Sequence, residues 1–330
     1  MNIKRYLSIC LAALLLVTGL TACKSGKTGS SSAKSGGDDV FSIGIVQLTK
    51  HDALDSAYEG FVAALDAAGY SEEKGNLKID YQVATGKADE CVTICNQFVA
   101  DKVDLILAIA TDAAQAALNA TSDIPILVTA VTNPEADVPG ENVSGTSDMG
   151  PIEDQIAFAK ELCPELKTLG ILYNSSEQNS KFQAEKAIEA AQSLGIGYKE
   201  FTVTASTELQ SVVESMNGQV EACWLPTDNT CASNMDIIGA TAQDAHVMTI
   251  CGEAGMVNSG GLATYGAVDY YKLGEQTGDM AVRIIEGASV SDMPIEYQSA
   301  GEDAKIVINR EAAESFEIPQ SVLDKATFAE

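Results

Sequence analysis

Residues 104–111 read Asp104-Leu-Ile-Leu-Ala-Ile-Ala-Thr111, an unbroken apolar run between two stretches of helical periodicity. Side chains of a strand alternate between its faces, so a run that is apolar at every position needs cover on both sides. That requirement is met where helices flank a parallel sheet. The run is far too short for a membrane helix, which needs about 20 apolar residues.

Working outward, Ile43 to Leu48 reads as a first strand and Asp52 to Gly69 as a helix, with Leu54, Tyr58, Phe61, Val62 and Leu65 at helical spacing and Gly69 as its cap. Leu77 to Val83 is a strand, Ala88 to Asp101 a helix, and Thr111 opens the next helix. Ile124 to Val131 is a further strand, followed by a short extended crossing segment at Asn142 to Ser147. The same alternation then restarts. Strands at Thr168 to Tyr173, Tyr198 to Val203 and Glu221 to Leu225 are interleaved with helices at Pro151 to Leu162, Asn179 to Leu194, Thr207 to Met216 and Cys231 to Ala245. Val247 to Cys251 and Leu262 to Gly266 are later strands, Asp269 to Glu286 is a long amphipathic helix, and Glu296 to Ile308 is an extended return.

Two α/β lobes are therefore expected, each a mainly parallel sheet flanked by helices with a cleft between them. The expected boundaries are 40–145 plus about 264–290 for the N-terminal lobe, and 146–263 plus about 291–330 for the C-terminal lobe. A hinge is expected at Asn142 to Asp148, Gly260 to Tyr265 and Ile285 to Glu296.

The start of the chain says where the body works. Lys4 and Arg5 precede an apolar run from Tyr6 to Val17, and Leu20-Thr-Ala-Cys23 follows. This is similar to the lipobox of a lipoprotein signal peptide, which implies removal of residues 1–22 and acylation of Cys23. From Lys24 to Asp39 the chain is almost wholly Ser, Gly, Lys, Ala, Thr and Asp, a composition that makes a flexible tether (23–39). An extracytoplasmic body held to the membrane by lipid alone is expected.

Asp plus Glu number 47 against 20 Lys plus Arg, giving a formal charge of −27. That charge repels phosphate backbones and argues against a nucleic-acid partner. Six cysteines remain beyond Cys10 and Cys23: Cys91, Cys95, Cys163, Cys223, Cys231 and Cys251. Cys91 and Cys95 share a helix face, but no nearby histidine completes a metal site, and a packing role is expected.

Five segments resemble a known family. They are Gly44-Ile-Val-Gln-Leu with His51 and Ala53-Leu54-Asp55, then Asp104 to Thr111, Tyr173 to Ser180, Pro226 to Thr230, and Asp269 to Gly274. In this order they are similar to the ABC transporter substrate-binding lipoproteins that include tryptophan and tyrosine binders. The resemblance implies a type I periplasmic-binding-protein fold, an aromatic amino acid held in the cleft, and a permease and an ATPase as partners. A monomer with no cofactor and no metal is expected.

The residues themselves place a site at the carboxyl ends of the strands. Gln47, His51, Thr111, Thr132, Asn133, Ser147, Asp148, Asn174, Glu177, Thr227, Asp228 and Asn229 all fall there. Asn179 and Ser180 open a helix and can hold a carboxylate, while Asp228 can accept from an ammonium; together they describe a clamp for an amino-acid zwitterion. The same three residue types also cap helices. Tyr265, and with it Tyr270 and Tyr271, can stack on an aromatic ligand or pack in the core. Trp224 lies inside a strand, where it packs. No Gly-x-Ser-x-Gly elbow, His-Glu-x-x-His or phosphate loop occurs, and only His51 and His246 supply imidazoles, so no enzyme is expected. A sugar or nucleoside binder, or a lipoprotein presenting a ligand to a membrane receptor, remains an alternative on the same fold.

Overall fold

The structure, a computed structural model, describes residues 40–298 and 305–329. The leader, Cys23 and the tether lie outside the described residues. The first passage runs β1 (Phe41–Gln47), α1 (Asp52–Ala67), β2 (Leu77–Val83), α2 (Ala88–Asp101), β3 (Leu105–Ile109), α3 (Thr111–Ala120), β4 (Ile126–Val131), α4 (Pro134–Asp137) and β5 (Val143–Ser147). The second runs α5 (Ile152–Leu162), β6 (Thr168–Asn174), α6 (Gln178–Ser193), β7 (Gly197–Val203), α7 (Leu209–Glu214) and β8 (Ala222–Leu225). It continues through α8 (Asn229–Ala232), α9 (Met235–Asp244), β9 (Met248–Cys251), α10 (Ala254–Asn258) and β10 (Ala263–Tyr265). The last passage is α11 (Tyr270–Ile285), β11 (Glu296–Tyr297), β12 (Ile306–Ile308), α12 (Arg310–Ala313), α13 (Gln320–Leu323) and β13 (Ala326–Phe328).

Two sheets result, in the orders β11-β5-β4-β3-β1-β2 and β13-β12-β10-β9-β8-β6-β7. Every pairing is parallel except β10 with β12. β3 lies between β1 and β4, with Ile106 opposite Gly44 on one side and Ile126 on the other. All five of its residues are buried, which is why no polar residue interrupts the run. Gly69 and Gly195, read as helix ends, have φ of 94° and 67°, a region glycine enters without a Cβ penalty.

The crossings between sheets differ from the expected ones. Asn142 to Ser147 is a strand of the first sheet, because β5 pairs with β4, so the first crossing is the next segment, Asp148 to Pro151. Tyr265 ends β10 in the second sheet, and the second crossing is Gly266 to Asp269. Residues 291–297 belong with the first sheet, since Glu296 and Tyr297 pair with Thr146 and Ser147 of β5. Ile306–Ile308, by contrast, pair with β10 and belong with the second sheet. The extended return expected over Glu296 to Ile308 is divided between the two sheets, and the expected helix Cys231 to Ala245 is two helices broken near Ser233 and Asn234.

α11 carries the chain back onto the first lobe, where it lies along α1. Glycines allow the approach. A Cβ on Gly60 would lie 2.0 Å from the Tyr271 carbonyl, and one on Gly274 would lie 2.0 Å from the Ala57 carbonyl. Cys91, Cys95, Cys163, Cys223, Cys231 and Cys251 are all buried free thiols. Burial pushes the Cys91 and Cys95 thiols up to about 12, so neither offers a thiolate near neutrality.

Candidate functional site

The carboxyl ends of both sheets face each other, and the polar residues there are buried or, at His51, Asn133, Thr227 and Asn229, half-buried. Four side-chain hydrogen bonds run directly between the lobes. His51 Nε2 lies 3.2 Å from Asn229 Oδ1, Gln183 Nε2 donates to Thr132 Oγ1 at 3.1 Å, Gln115 donates to Gln178 at 3.1 Å, and Gln178 donates to Asp137 at 2.6 Å. The lobes are thus drawn together over the site.

On the first lobe, Gln47 is fully used within that lobe. Its amide donates to Thr49 O and Asp55 Oδ1, and its carbonyl accepts from Tyr81 Oη. Thr111 begins α3, a helix with no side-chain cap, and its Oγ1 is buried without a partner. Ala110 before it has φ 85°, and Ala130 near the end of β4 has φ 55°. Such strain in alanine costs of order 1–3 kcal/mol and gathers at functional sites. Thr132 Oγ1 donates to Asp148 Oδ1 at 2.9 Å, while Ser147 is spent on the Thr132 carbonyl and the Met149 N–H. Asp148 Oδ2 accepts from Tyr270 Oη at 2.6 Å, both residues being buried. Burial pushes the Asp148 carboxyl up, and the bonds from Tyr270 and Thr132 pull it part of the way back. Asn133, half-buried before α4, makes no side-chain cap bond.

On the second lobe, the residues read as a zwitterion clamp are largely engaged with one another. Asp228 Oδ2 accepts the Asn174 N–H at 2.7 Å and Oδ1 accepts the Cys231 N–H at 2.8 Å, which makes it the cap of α8. Burial and the neighbouring Glu177 push its carboxyl up, but both oxygens are already held. Glu177 accepts from the backbone and side chains of Asn229 and Thr230, four donors at 2.7–2.9 Å. Asn174 donates to Thr230 Oγ1 and Asn179 donates to the Thr227 carbonyl, next to the buried Ser180. Tyr265 is turned to the second lobe's core, its ring 5.7 Å from that of Phe158.

Three further residues complete the site: Gln183 and Glu253, which the sequence reading did not place in it, and Tyr270, which it read as a stacking or core aromatic and not as a hydrogen-bond donor. Gln183, one turn along α6 from Asn179 and Ser180, bridges Thr132 of the first lobe and Thr227 of the second. Tyr270 holds Asp148 from the start of α11. Glu253 follows β9 at the same end of the sheet as the other candidates, 2 % exposed, and neither of its oxygens has a partner among the described residues. The rule that found Asp228 after β8 applies equally one strand later.

His51 is neutral here, because burial lowers its pKa. Asn229 Nδ2 donates to Glu177, so its Oδ1 faces His51 and Nε2 carries the ring proton. Nδ1 is then a bare acceptor, 3.9 Å from Glu253 Oε1 and without a partner. A separate opening of about 900 Å³ lies at the hinge, lined among others by Asp52, Met149, Pro151, Gly266, Tyr271 and Lys305.

A tyrosine-binding protein of Clostridioides difficile is 36% identical over 335 residues, covering 98% of this chain and 96% of its own. The structure of an ABC domain in complex with L-Trp from Streptococcus pneumoniae covers 88% of this chain and 100% of its own, at 35% identity and a TM-score of 0.82. The ligand-free, open structure of a substrate binding protein with adhesive properties from Clostridium difficile covers 88% of this chain and 99% of its own, at 39% identity. Its TM-score is only 0.66. The more identical sequence gives the poorer superposition. The chain has a type I periplasmic-binding-protein fold. With the family model matching residues 42–328, nearly the whole described body, the chain belongs to the ABC transporter substrate binding proteins.

Proposed function

We propose that this protein captures an aromatic amino acid, tyrosine or tryptophan, between its lobes and presents it to an ABC permease and ATPase from outside the cytoplasm, held to the membrane through acylated Cys23. It performs no catalysis. The observation that carries this reading is the closer superposition on the relative solved with L-Trp, at a TM-score of 0.82, than on the relative solved open, at 0.66, despite the order of their identities. The ligand's carboxylate is assigned to the start of α3, where Thr111 Oγ1 is buried and unpartnered and no side chain caps the first turn. Thr132, Asp148, Gln183 and Thr227 form the polar wall that changes when the lobes part. A ligand that binds both lobes stabilises the closed form by its differential affinity, and that form is the surface a permease recognises.

A thermal-shift screen of residues 40–330 against the twenty amino acids, purine nucleosides and common sugars tests the reading. A ligand at a hundredfold excess over its Kd stabilises by about 2.7 kcal/mol. Shifts confined to aromatic amino acids are expected; a shift only with a sugar or nucleoside would overturn the assignment.

A further inference from the structure

Among the described residues, the fully buried carboxylates Glu177, Asp228 and Asp148 at this interface have a donor on each oxygen, the half-buried Asp137 leaves one oxygen without a donor, and Glu253 alone leaves both. Glu177 takes five bonds and Asp228 two, as a folded protein requires of charged groups it removes from water. Glu253 is as deeply buried, yet no group among the described residues donates to either oxygen. It stands at the start of α10 without capping it. A proton on the carboxyl would not resolve this, because the facing acceptor, His51 Nδ1, is 3.9 Å away, beyond hydrogen-bond reach, and is itself unpartnered.

The surroundings are anionic. Asp148 and Asp52 are the charged groups that act on Glu253, Tyr270 meets the site through its hydroxyl on Asp148, and His51 is neutral. Among the described residues no lysine or arginine pairs with Glu253 or Asp148. The site therefore offers acceptors without donors and carboxyl groups without a cation, with Glu253 and His51 too far apart for either to satisfy the other. A primary ammonium brings one positive charge and three N–H donors, which is what these atoms lack.

The geometry points to Glu253, with His51 Nδ1, as the receptor for the ligand's ammonium group, and so as the residue by which the protein selects amine-bearing solutes. This rests on the amino-acid reading above and adds to it the group that recognises the amine. Asp228, which the sequence suggested for that role, has both oxygens committed to backbone N–H groups.

Calorimetric titration of the purified protein and its Glu253→Gln variant with L-tyrosine and with 3-(4-hydroxyphenyl)propionate, the same molecule without its amine, tests the assignment. The wild type is expected to prefer L-tyrosine by about 100-fold, as loss of a charge-assisted contact in a dry site implies. The variant is expected to lose most of that preference while binding the deaminated acid within about threefold of the wild type. Equal wild-type affinity for both compounds, or a variant that keeps its preference, overturns the proposal. Should circular dichroism show the variant unfolded, the wild-type ratio decides alone. Should the protein bind a non-aromatic amino acid instead, the aromatic reading falls, and the same comparison with that amino acid and its deaminated counterpart decides Glu253. Binding of none of the twenty amino acids overturns both.

Discussion

His51 Nε2 meets Asn229 Oδ1 at 3.2 Å across the boundary between the lobes, and Asn229 is in turn fixed by Glu177. The pair is a strut that exists only when the lobes are together, since α1 and α8 belong to different lobes. Replacing His51 by Ala removes from the closed form that bond, about 1 kcal/mol, together with the Nδ1 acceptor proposed for the ligand's ammonium, and little from either lobe alone. Ligand dissociation, followed by stopped-flow, is expected to accelerate about fivefold with the melting temperature of the ligand-free protein nearly unchanged. An unaltered dissociation rate would show that the strut carries no part of closure.

Gln183 makes a stronger demand, because its amide donates to Thr132 and Thr227 and its carbonyl accepts the Thr227 N–H. Gln183→Ala leaves a backbone N–H of the second lobe without its partner as well as breaking the bridge. A loss of about 1–3 kcal/mol in unfolding free energy is expected together with at least a tenfold loss in ligand affinity. Chemical denaturation and calorimetry on the same preparation separate the two effects.

Asp228 shows how far the sequence reached. The alternation of apolar runs and amphipathic stretches placed both sheets, because burial on two faces leaves a plain mark on composition. The carboxyl-end rule then pointed to the ends of these strands, where Thr132, Asp148 and Thr227 are joined in one hydrogen-bonded group through Gln183. What the sequence could not show is which acids spend their oxygens on the backbone. Asp228 and Glu253 both follow a short buried strand and look alike in one dimension; only the turn geometry after β8 brings the Asn174 and Cys231 N–H groups onto the first and none onto the second. The crossings were misplaced for a similar reason, since a two-residue strand such as β11 has no periodicity to read.

For Asp228 the consequence is a stability phenotype. Asp228→Ala uncaps α8 and frees the Asn174 N–H inside the second lobe. Unfolding free energy is expected to fall by about 2–4 kcal/mol, from the cap and the unpaired buried donor together. The protein that remains folded should bind its ligand within about threefold of the wild type. A variant of normal stability that has lost its ligand would return Asp228 to the clamp.

The α1–α11 contact sets where Tyr270 and Asp148 stand. Gly274→Ala places a methyl 2.0 Å from the Ala57 carbonyl, which is backbone and cannot turn aside. The helices must separate, at a cost of about 3 kcal/mol, the upper end for overpacking. The variant is expected to melt well below the wild type. A melting temperature within a degree of the wild type would show that α11 shifts freely on α1.

Closure should itself bind a proton when no amine is present. In the arrangement with the lobes together, burial and the nearby Asp148 and Asp52 raise the Glu253 carboxyl from its ordinary value of 4.5 to about 8, with neutral His51 and Tyr270 as the other titratable neighbours. With the lobes apart the carboxyl meets water and titrates near its ordinary value. The closed form therefore holds the extra proton across that interval, and linkage favours closure as pH falls and opposes it as pH rises towards 8. Small-angle scattering of the ligand-free protein is expected to show a smaller radius of gyration at pH 5 than at pH 8. Glu253→Gln, which has no charge to bury, should remove most of that dependence, and saturating ligand should flatten it in the wild type by replacing the proton with an ammonium. A radius that is constant with pH in the wild type would mean that Glu253 stays hydrated when the lobes meet.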